Sequence, residues 1–252
     1  MRISAALPAH NEEANIEQAV AELQHVLAEV CTEGDYEVIV VDDGSSDRTA
    51  EIVLKMAEAD PRVILVQHEV NQGYGQTVKD GLMAGTLDYV FFTDSDLQFD
   101  VWEIERLVTY LDRADVVCGY RLDRQDPWNR RLIAWGWNAL VRVMFYVPVR
   151  DIDCAFKIFK REALENLEIQ SAGALINTEL MIKLSRSGYG VAEVGVNHFP
   201  RVGGEQSGAK VSVILTAFRE LLRWRRMFKR IDMAERHYAR RRATMRRFER
   251  RH

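Results

Sequence analysis

Four short polar clusters each follow an apolar run: Pro8-Ala9-His10-Asn11-Glu12, Asp42-Asp43-Gly44-Ser45-Ser46-Asp47, Asn71-Gln72-Gly73 and Asp94-Ser95-Asp96-Leu97-Gln98. Carboxylates crowded into one crevice repel one another unless a cation joins them, so an oxygen-ligated divalent ion is the simple resolution. Mg²⁺ or Mn²⁺ suits such a site, and both commonly bridge to phosphate oxygens. No glycine-rich phosphate cradle competes with this reading. Gly-x4-Gly-Lys-Ser/Thr is absent, and Gly73-Tyr74-Gly75 is not a dinucleotide fingerprint. Ser45 and Ser46 sit on no nucleophile elbow, and no cysteine has an evident histidine partner. An isolated Asp-x-Asp is usually a turn or a helix cap. The order of the clusters and their placement at strand ends are what point to a diphosphate site.

The elements that must position these clusters alternate along the first half. Ile3–Leu7, ended by Pro8, Glu37–Val41, Val63–Val66, Tyr89–Phe92 and Val116–Cys118 read as buried strands. Helical patterns run through Ile16, Val20, Leu23 and Leu27, then through Ile52, Val53 and Met56 with Asp47 as N-cap, then over Tyr74–Ala84 and Val101–Leu111. Continuous apolar strands separated by helices predict an α/β fold, a Rossmann-like, mainly parallel sheet flanked by helices. Ligands bind such sheets outside the carboxyl ends of the strands, where the clusters lie. Gly119–Arg131 is polar, carries Arg121, Arg124, Arg130, Arg131 and Pro127, and reads as a loop over the site. A strand near Ala155–Phe159, a helix over Ile176–Ser187 and a strand over Val191–Val196 follow.

With 252 residues and 47% hydrophobic content the chain can bury one sizeable core. The organisation expected is a catalytic domain over 1–210, an amphipathic interface helix over 211–229 and a basic tail over 230–252. From Arg219 to His252 there are 14 Lys and Arg against 4 Asp and Glu, whereas the other 218 residues hold 20 basic and 34 acidic groups. That asymmetry suggests an anionic partner for the tail. An anionic membrane surface is preferred to nucleic acid, because the acidic body repels a polyanion and the tail has few interleaved aromatics. Leu132–Val149 and Val211–Phe228 are apolar stretches interrupted by arginines, as in helices that lie in a bilayer interface. The three cysteines are too few and scattered for a disulfide framework or a zinc site. The N-terminus lacks a secretory pattern and no segment is long enough to span a bilayer. The expectation is a peripheral protein at the cytoplasmic face of a membrane.

The four clusters in this order resemble the family-2 inverting glycosyltransferases of the GT-A fold. The resemblance covers about residues 1–228 and looks closest to the dolichol- or polyprenol-phosphate mannose synthases. It implies that Asp94, Asp96 and Gln98 bind the metal. Pro8, Asn11, Glu12 and Asp42 would line the nucleotide-sugar site, to which Asp43, Gly73, Asp94, Ser95 and Arg201 are also assigned. Asp94, Asp96 and Arg201 are the expected catalytic residues, with Arg201 holding the donor diphosphate. Gly119-Tyr120-Arg121 resembles the Gly-Ser-Arg of the family's acceptor loop, so Arg121 and Arg131 would grip the acceptor phosphate. Asp151-Ile152-Asp153-Cys154-Ala155-Phe156-Lys157, Asn177-Thr178-Glu179-Leu180 and Arg201 to Ser207 resemble later family segments, although Cys154-Ala155 stands for Ser-Gly, Lys157 for Arg, and Tyr74 for a frequent Lys.

The activity implied is metal-dependent transfer of a hexose, with mannose from GDP-mannose leading, to polyprenyl or dolichyl phosphate with inversion. UDP-glucose or a UDP-N-acetylhexosamine as donor remains an alternative. So does a glycan hydroxyl as acceptor, with Asp151 or Asp153 as base. A non-enzymatic binding module with an Arg-rich tail is the reading of another class.

Overall fold

Seven strands build one sheet: β1 (Ile3–Ala9), β2 (Tyr36–Asp42), β3 (Val63–Gln67), β4 (Tyr89–Thr93), β5 (Val116–Arg121), β6 (Phe156–Lys160) and β7 (Val191–Val196). In a computed structural model the chain is described over residues 1–31, 35–122, 128–171, 173, 175–200 and 218–226, with backbone alone at 128–131. Strand order is β3-β2-β1-β4-β6-β5-β7. β6 alone runs antiparallel to its neighbours β4 and β5, and the other pairings are parallel. All seven residues of β1 are buried, as expected for a central strand covered on both faces.

Pro8 does not end β1, contrary to the expectation from sequence. β1 pairs with β2 along its whole length, but its ladder with β4 stops at Ala6↔Phe92. Ala9 turns its carbonyl to the β2 side, where it accepts from Asp43 N–H. Pro8 therefore faces the β4 side, beyond the end of that ladder, where a missing N–H costs nothing.

The helices are α1 (Ile16–Val30), α2 (Thr49–Ala59), α3 (Tyr74–Ala84), α4 (Ile104–Val108), α5 (Trp128–Phe145), α6 (Arg161–Glu165) and α7 (Ile176–Arg186). Asp47 caps α2 as expected, its Oδ1 accepting from Thr49 N–H at 3.0 Å and from the Thr49 hydroxyl at 2.6 Å. The helix expected over Val101–Leu111 is shorter. A 3₁₀ turn over Val101–Glu103 precedes α4, and i→i+3 bonds from Tyr110 and Leu111 tighten the chain beyond it. The expected loop over 119–131 also contracts: β5 runs on to Arg121 and α5 starts at Trp128. Residues 123–127 lie outside the described residues.

Phe91, Phe92, Phe156 and Phe159 are fully buried where β4 meets β6, and Phe91 meets Phe156 edge-to-face at 4.9 Å. Each such ring contributes roughly 1.5–3 kcal/mol by burial. This core fixes the register that places Phe92 opposite Lys157. The chain divides into two units, Met1–Gln206 and Ser207–His252. In the second, residues 218–226 are helical, and the rest of the expected interface helix and basic tail lies outside the described residues. Among the described residues no helix is long and apolar enough to cross a membrane.

Candidate active site

The loops following β1, β2, β3 and β4 are tied together by side chains from the predicted clusters. After β1, Asn11 adopts a left-handed backbone (φ 56°). Its N–H donates to Ser45 Oγ at 2.9 Å, and its Oδ1 accepts from Ser46 N–H at 2.8 Å. Glu12 is buried; its N–H donates to Thr49 Oγ1 at 2.9 Å and its Oε2 accepts from Asn15 Nδ2 at 2.9 Å. After β2, Gly44 has φ +63°, and a Cβ there would lie 2.7 Å from the Asn71 nitrogen. Only glycine allows the β2 and β3 loops to touch.

Asp43 holds the third loop. Its Oδ1 accepts from Gln72 N–H at 2.8 Å and meets His68 Nδ1 at 2.8 Å, while its Oδ2 accepts from Gly73 N–H at 2.9 Å. Burial pushes this carboxyl up, but hydrogen bonds from His68, Gln72, Gly73 and Thr77 outweigh it and hold the group below its ordinary value. His68 reaches on to Asp80 through Nε2 at 3.1 Å. His10, from the first cluster, contacts the Asp43 carbonyl through Nδ1 at 2.8 Å. Asp43 and Gly73 thus shape the edge on which α3 begins. Asp42 is fully buried, and its Oδ1 meets no donor among the described residues.

The fourth loop carries the paired carboxylates. Ser95 is buried and its hydroxyl donates to the Pro8 carbonyl at 2.8 Å. Asp96 Oδ1 accepts from Gln98 N–H at 3.2 Å, and Leu97 between them takes φ 57°. That single left-handed residue turns the chain back so that Gln98 N–H reaches Asp96, while Asp94 lies close enough to Asp96 to feel its charge. Burial and the charge of Asp96 push the Asp94 carboxyl up, to about 7. Gln98 Nε2 donates to the Phe199 carbonyl at 3.0 Å, and Phe199 N–H returns a bond to the Gln98 carbonyl at 2.8 Å. His198 packs edge-on against Phe99 at 5.2 Å. The loop therefore pairs with the chain leading to Arg201, which itself lies outside the described residues.

These groups fit a divalent ion. Two close carboxylates that resist simultaneous ionisation, plus an amide oxygen on Gln98, form a small hard-oxygen donor set. Among the described residues no group of three His, Cys, Asp or Glu is placed to hold a metal ion, so ligands from substrate would complete the shell.

Side chains not singled out for this role close the site from below. The Tyr74 hydroxyl donates to Asp94 Oδ1 at 3.2 Å. Burial of that hydroxyl and the charge on Asp94 push the phenol well above its ordinary value, although the residue as a whole is 40% exposed. Lys157 is fully buried, donating to the Cys154 carbonyl and to Asn177 Oδ1 at 3.1 Å. A lone lysine inside Phe156-Lys157-Ile158-Phe159 was the signal for it.

The predicted acceptor arginines are placed unequally. Arg121 is held by Asp151, with Nε to Oδ2 at 2.7 Å and Nη2 to Oδ1 at 2.8 Å. Both Asp151 oxygens are engaged, so this residue is poorly placed to act as a base. Arg131 lies in α5, with its side chain outside the described residues. On the same helix Leu132, Ile133, Trp135 and Val143 are exposed, as is Tyr146 just beyond its end, while Asn138, Val141 and Phe145 are buried. Leu132, Trp135 and Val143, three and eight residues apart, fall on one side of the helix.

Comparison with known proteins bears on the family and the fold. The chain is 31% identical over 209 residues to glycosyltransferase AglD of Haloferax volcanii, a match covering 80% of this chain and 34% of that protein. It is 34% identical over 169 residues to an undecaprenyl-phosphate 4-deoxy-4-formamido-L-arabinose transferase of Edwardsiella ictaluri, covering 65% and 50%. It is 26% identical over 214 residues to a dolichyl-phosphate beta-glucosyltransferase of Dictyostelium discoideum, covering 77% and 65%. The chain thus spans between a third and two thirds of these relatives' lengths. Among solved structures, glucosyl-3-phosphoglycerate synthase of Mycobacterium tuberculosis, in complex with Mn²⁺, UDP and glucosyl-3-phosphoglycerate, superposes with a TM-score of 0.65. That match has 25% identity and covers 89% of this chain and 79% of that one. Another crystal structure of the same enzyme holds Mg²⁺ and UDP. The sheet and its flanking helices form the GT-A fold of these neighbours. Residues 4–168 match the family model described as glycosyl transferase family 2, and the chain is a member of that family.

Proposed function

We propose that this glycosyltransferase moves a hexose from a nucleotide-sugar to polyprenyl phosphate, with metal assistance and inversion at the anomeric carbon. The observation that carries the reading is the junction of Asp94 and Asp96 with the β1, β2 and β3 loops at the carboxyl ends of the strands. Asp94, Asp96 and Gln98 would hold Mg²⁺ or Mn²⁺, which would neutralise charge on the departing nucleoside diphosphate. Asn11, Glu12 and the edge built by Pro8, Asp43, Gly73 and Ser95 line the nucleotide side. The buried Asp42 Oδ1 is an acceptor that a nucleobase N–H would satisfy. Arg201 is assigned to the diphosphate.

A phosphate acceptor is anionic near neutral pH and needs no strong base. Arg121, held by Asp151, is assigned with Arg131 to orient it through charge-assisted hydrogen bonds. The relatives that act on undecaprenyl and dolichyl phosphate support this acceptor. The exposed apolar side chains of Leu132, Ile133, Trp135, Val143 and Tyr146 support contact with a membrane surface, and the Arg-rich tail adds about 1 kcal/mol per basic group near an anionic leaflet.

GDP-mannose is the donor favoured by the motif resemblance. UDP-glucose is a second reading, favoured by the UDP-bound neighbour and the glucosyltransferase relative. The deciding experiment offers labelled GDP-mannose, UDP-glucose and UDP-N-acetylhexosamines with polyprenyl phosphate, with and without EDTA. Label entering the organic phase only without EDTA supports the reading and names the donor. Failure of every donor to label the lipid, with transfer to a soluble acceptor instead, removes the lipid-phosphate assignment.

A further inference from the structure

Asp94 is reached from below by a chain of three side chains that the motif resemblance does not assign. The Lys157 ammonium is fully buried, and its hydrogen-bond partners are the Cys154 carbonyl and Asn177 Oδ1, both neutral acceptors. An ammonium in such a place is costly unless its charge is used. Asn177 sits at the start of α7, is itself buried, and lies beside the Tyr74 hydroxyl. Tyr74 is the first residue of α3, just past Gly73, whose N–H is held by Asp43.

The donors in this chain can point only one way. Lysine has protons and no acceptor, so Asn177 must present Oδ1 to it. The amide nitrogen of Asn177 is then left as the group that can serve the phenol oxygen of Tyr74. A phenol has one proton, so it goes to Asp94 Oδ1, 3.2 Å away. Each bond polarises the next, from an ammonium at one end to a carboxylate at the other. The last torsion of an aspartate is broad and nearly two-fold, so a fixed donor on Oδ1 is what selects one carboxylate orientation.

We propose that Lys157, Asn177 and Tyr74 are positioning residues that orient Asp94 and set the divalent-cation affinity of the site. The inference rests on the metal reading proposed above. Outer partners of metal-binding groups typically change affinity by about 10–100-fold when removed.

The test measures Mn²⁺ binding to the nucleotide-free full chain by the EPR signal of free Mn²⁺, with Asp94→Ala marking the site. Tyr74→Phe keeps the ring and deletes the one proton; its Mn²⁺ Kd is expected to rise on the order of 10-fold with an unchanged melting temperature. Lys157→Met is expected to weaken binding in the same direction, and the double variant to be less than additive, because both act through one chain. If Lys157→Met does not fold, the Tyr74→Phe result decides alone. A wild-type Kd in Tyr74→Phe overturns the inference while the metal reading stands. Absence of Mn²⁺ binding in the wild type, or binding that survives Asp94→Ala, overturns both.

Discussion

The hydroxyl of Ser95 donates to the carbonyl of Pro8 at 2.8 Å, joining the loop of paired carboxylates to a strand 87 residues earlier. Both residues are buried. The bond exists because β1 outruns its ladder with β4, leaving the Pro8 carbonyl to be satisfied by something other than a strand.

Ser95→Ala should therefore leave a buried carbonyl without a partner and cost about 1–3 kcal/mol of stability. Urea unfolding measures it. Because the same bond anchors Asp94 and Asp96, sugar transfer should fall further than stability alone explains, and added Mn²⁺ should restore part of it.

Removing the Arg121 side chain takes the paired guanidinium away from a buried carboxylate. Arg121→Ala should destabilise the fold by about 3–5 kcal/mol, whereas Arg121→Ala combined with Asp151→Ala should cost less than the sum. If Arg121 also meets the acceptor phosphate, Arg121→Lys should raise the acceptor KM while leaving the donor KM close to wild type. Equal changes in both would count against that role.

Metal binding should strengthen as pH rises through the region around 7. Burial and the charge of Asp96 raise the Asp94 carboxyl to about 7, so below that value a proton occupies the group an ion would use. The linked effect on stability has the opposite sign. The folded state binds more protons at Asp94 than the unfolded chain between about pH 4 and pH 7, so this group makes the metal-free protein less stable as pH rises across that window. Melting curves at pH 5 and pH 7.5, with and without Mn²⁺, should show that slope only in the metal-free protein.

The three cysteines should be silent in the native state. Cys31, Cys118 and Cys154 are free and buried. Burial pushes the Cys118 and Cys154 thiols up to about 12, far from the thiolate form that reacts. A chromogenic disulfide reagent at pH 8 should titrate none of them until urea is added, and then all three.

Much of the fold is legible in the order of residues, because local rules control it. The run Val38 to Val41 is apolar on both faces and can only be a covered strand, and Asp42-Asp43-Gly44 can only stop it. The helix read over Tyr74–Ala84 and the strand over Val191–Val196 have those bounds in the structure. The four polar clusters could be placed on one edge in advance, since parallel strands end on the same side. What sequence could not show depends on partners far apart in the chain. Pro8 continues β1 only because β4 stops short of it, which no local rule foretells. β6 enters antiparallel between β4 and β5, and that placement buries Lys157 beneath Asp94. Arg121 and Asp151 are 30 residues apart, and only the tertiary structure decided that the arginine arrives at the site already paired. The sequence by itself determined which residue types stand at the strand ends, through periodicity and turn chemistry. The tertiary structure decided which of them are committed to one another, because burial and non-local pairing set the orientation of each charged group.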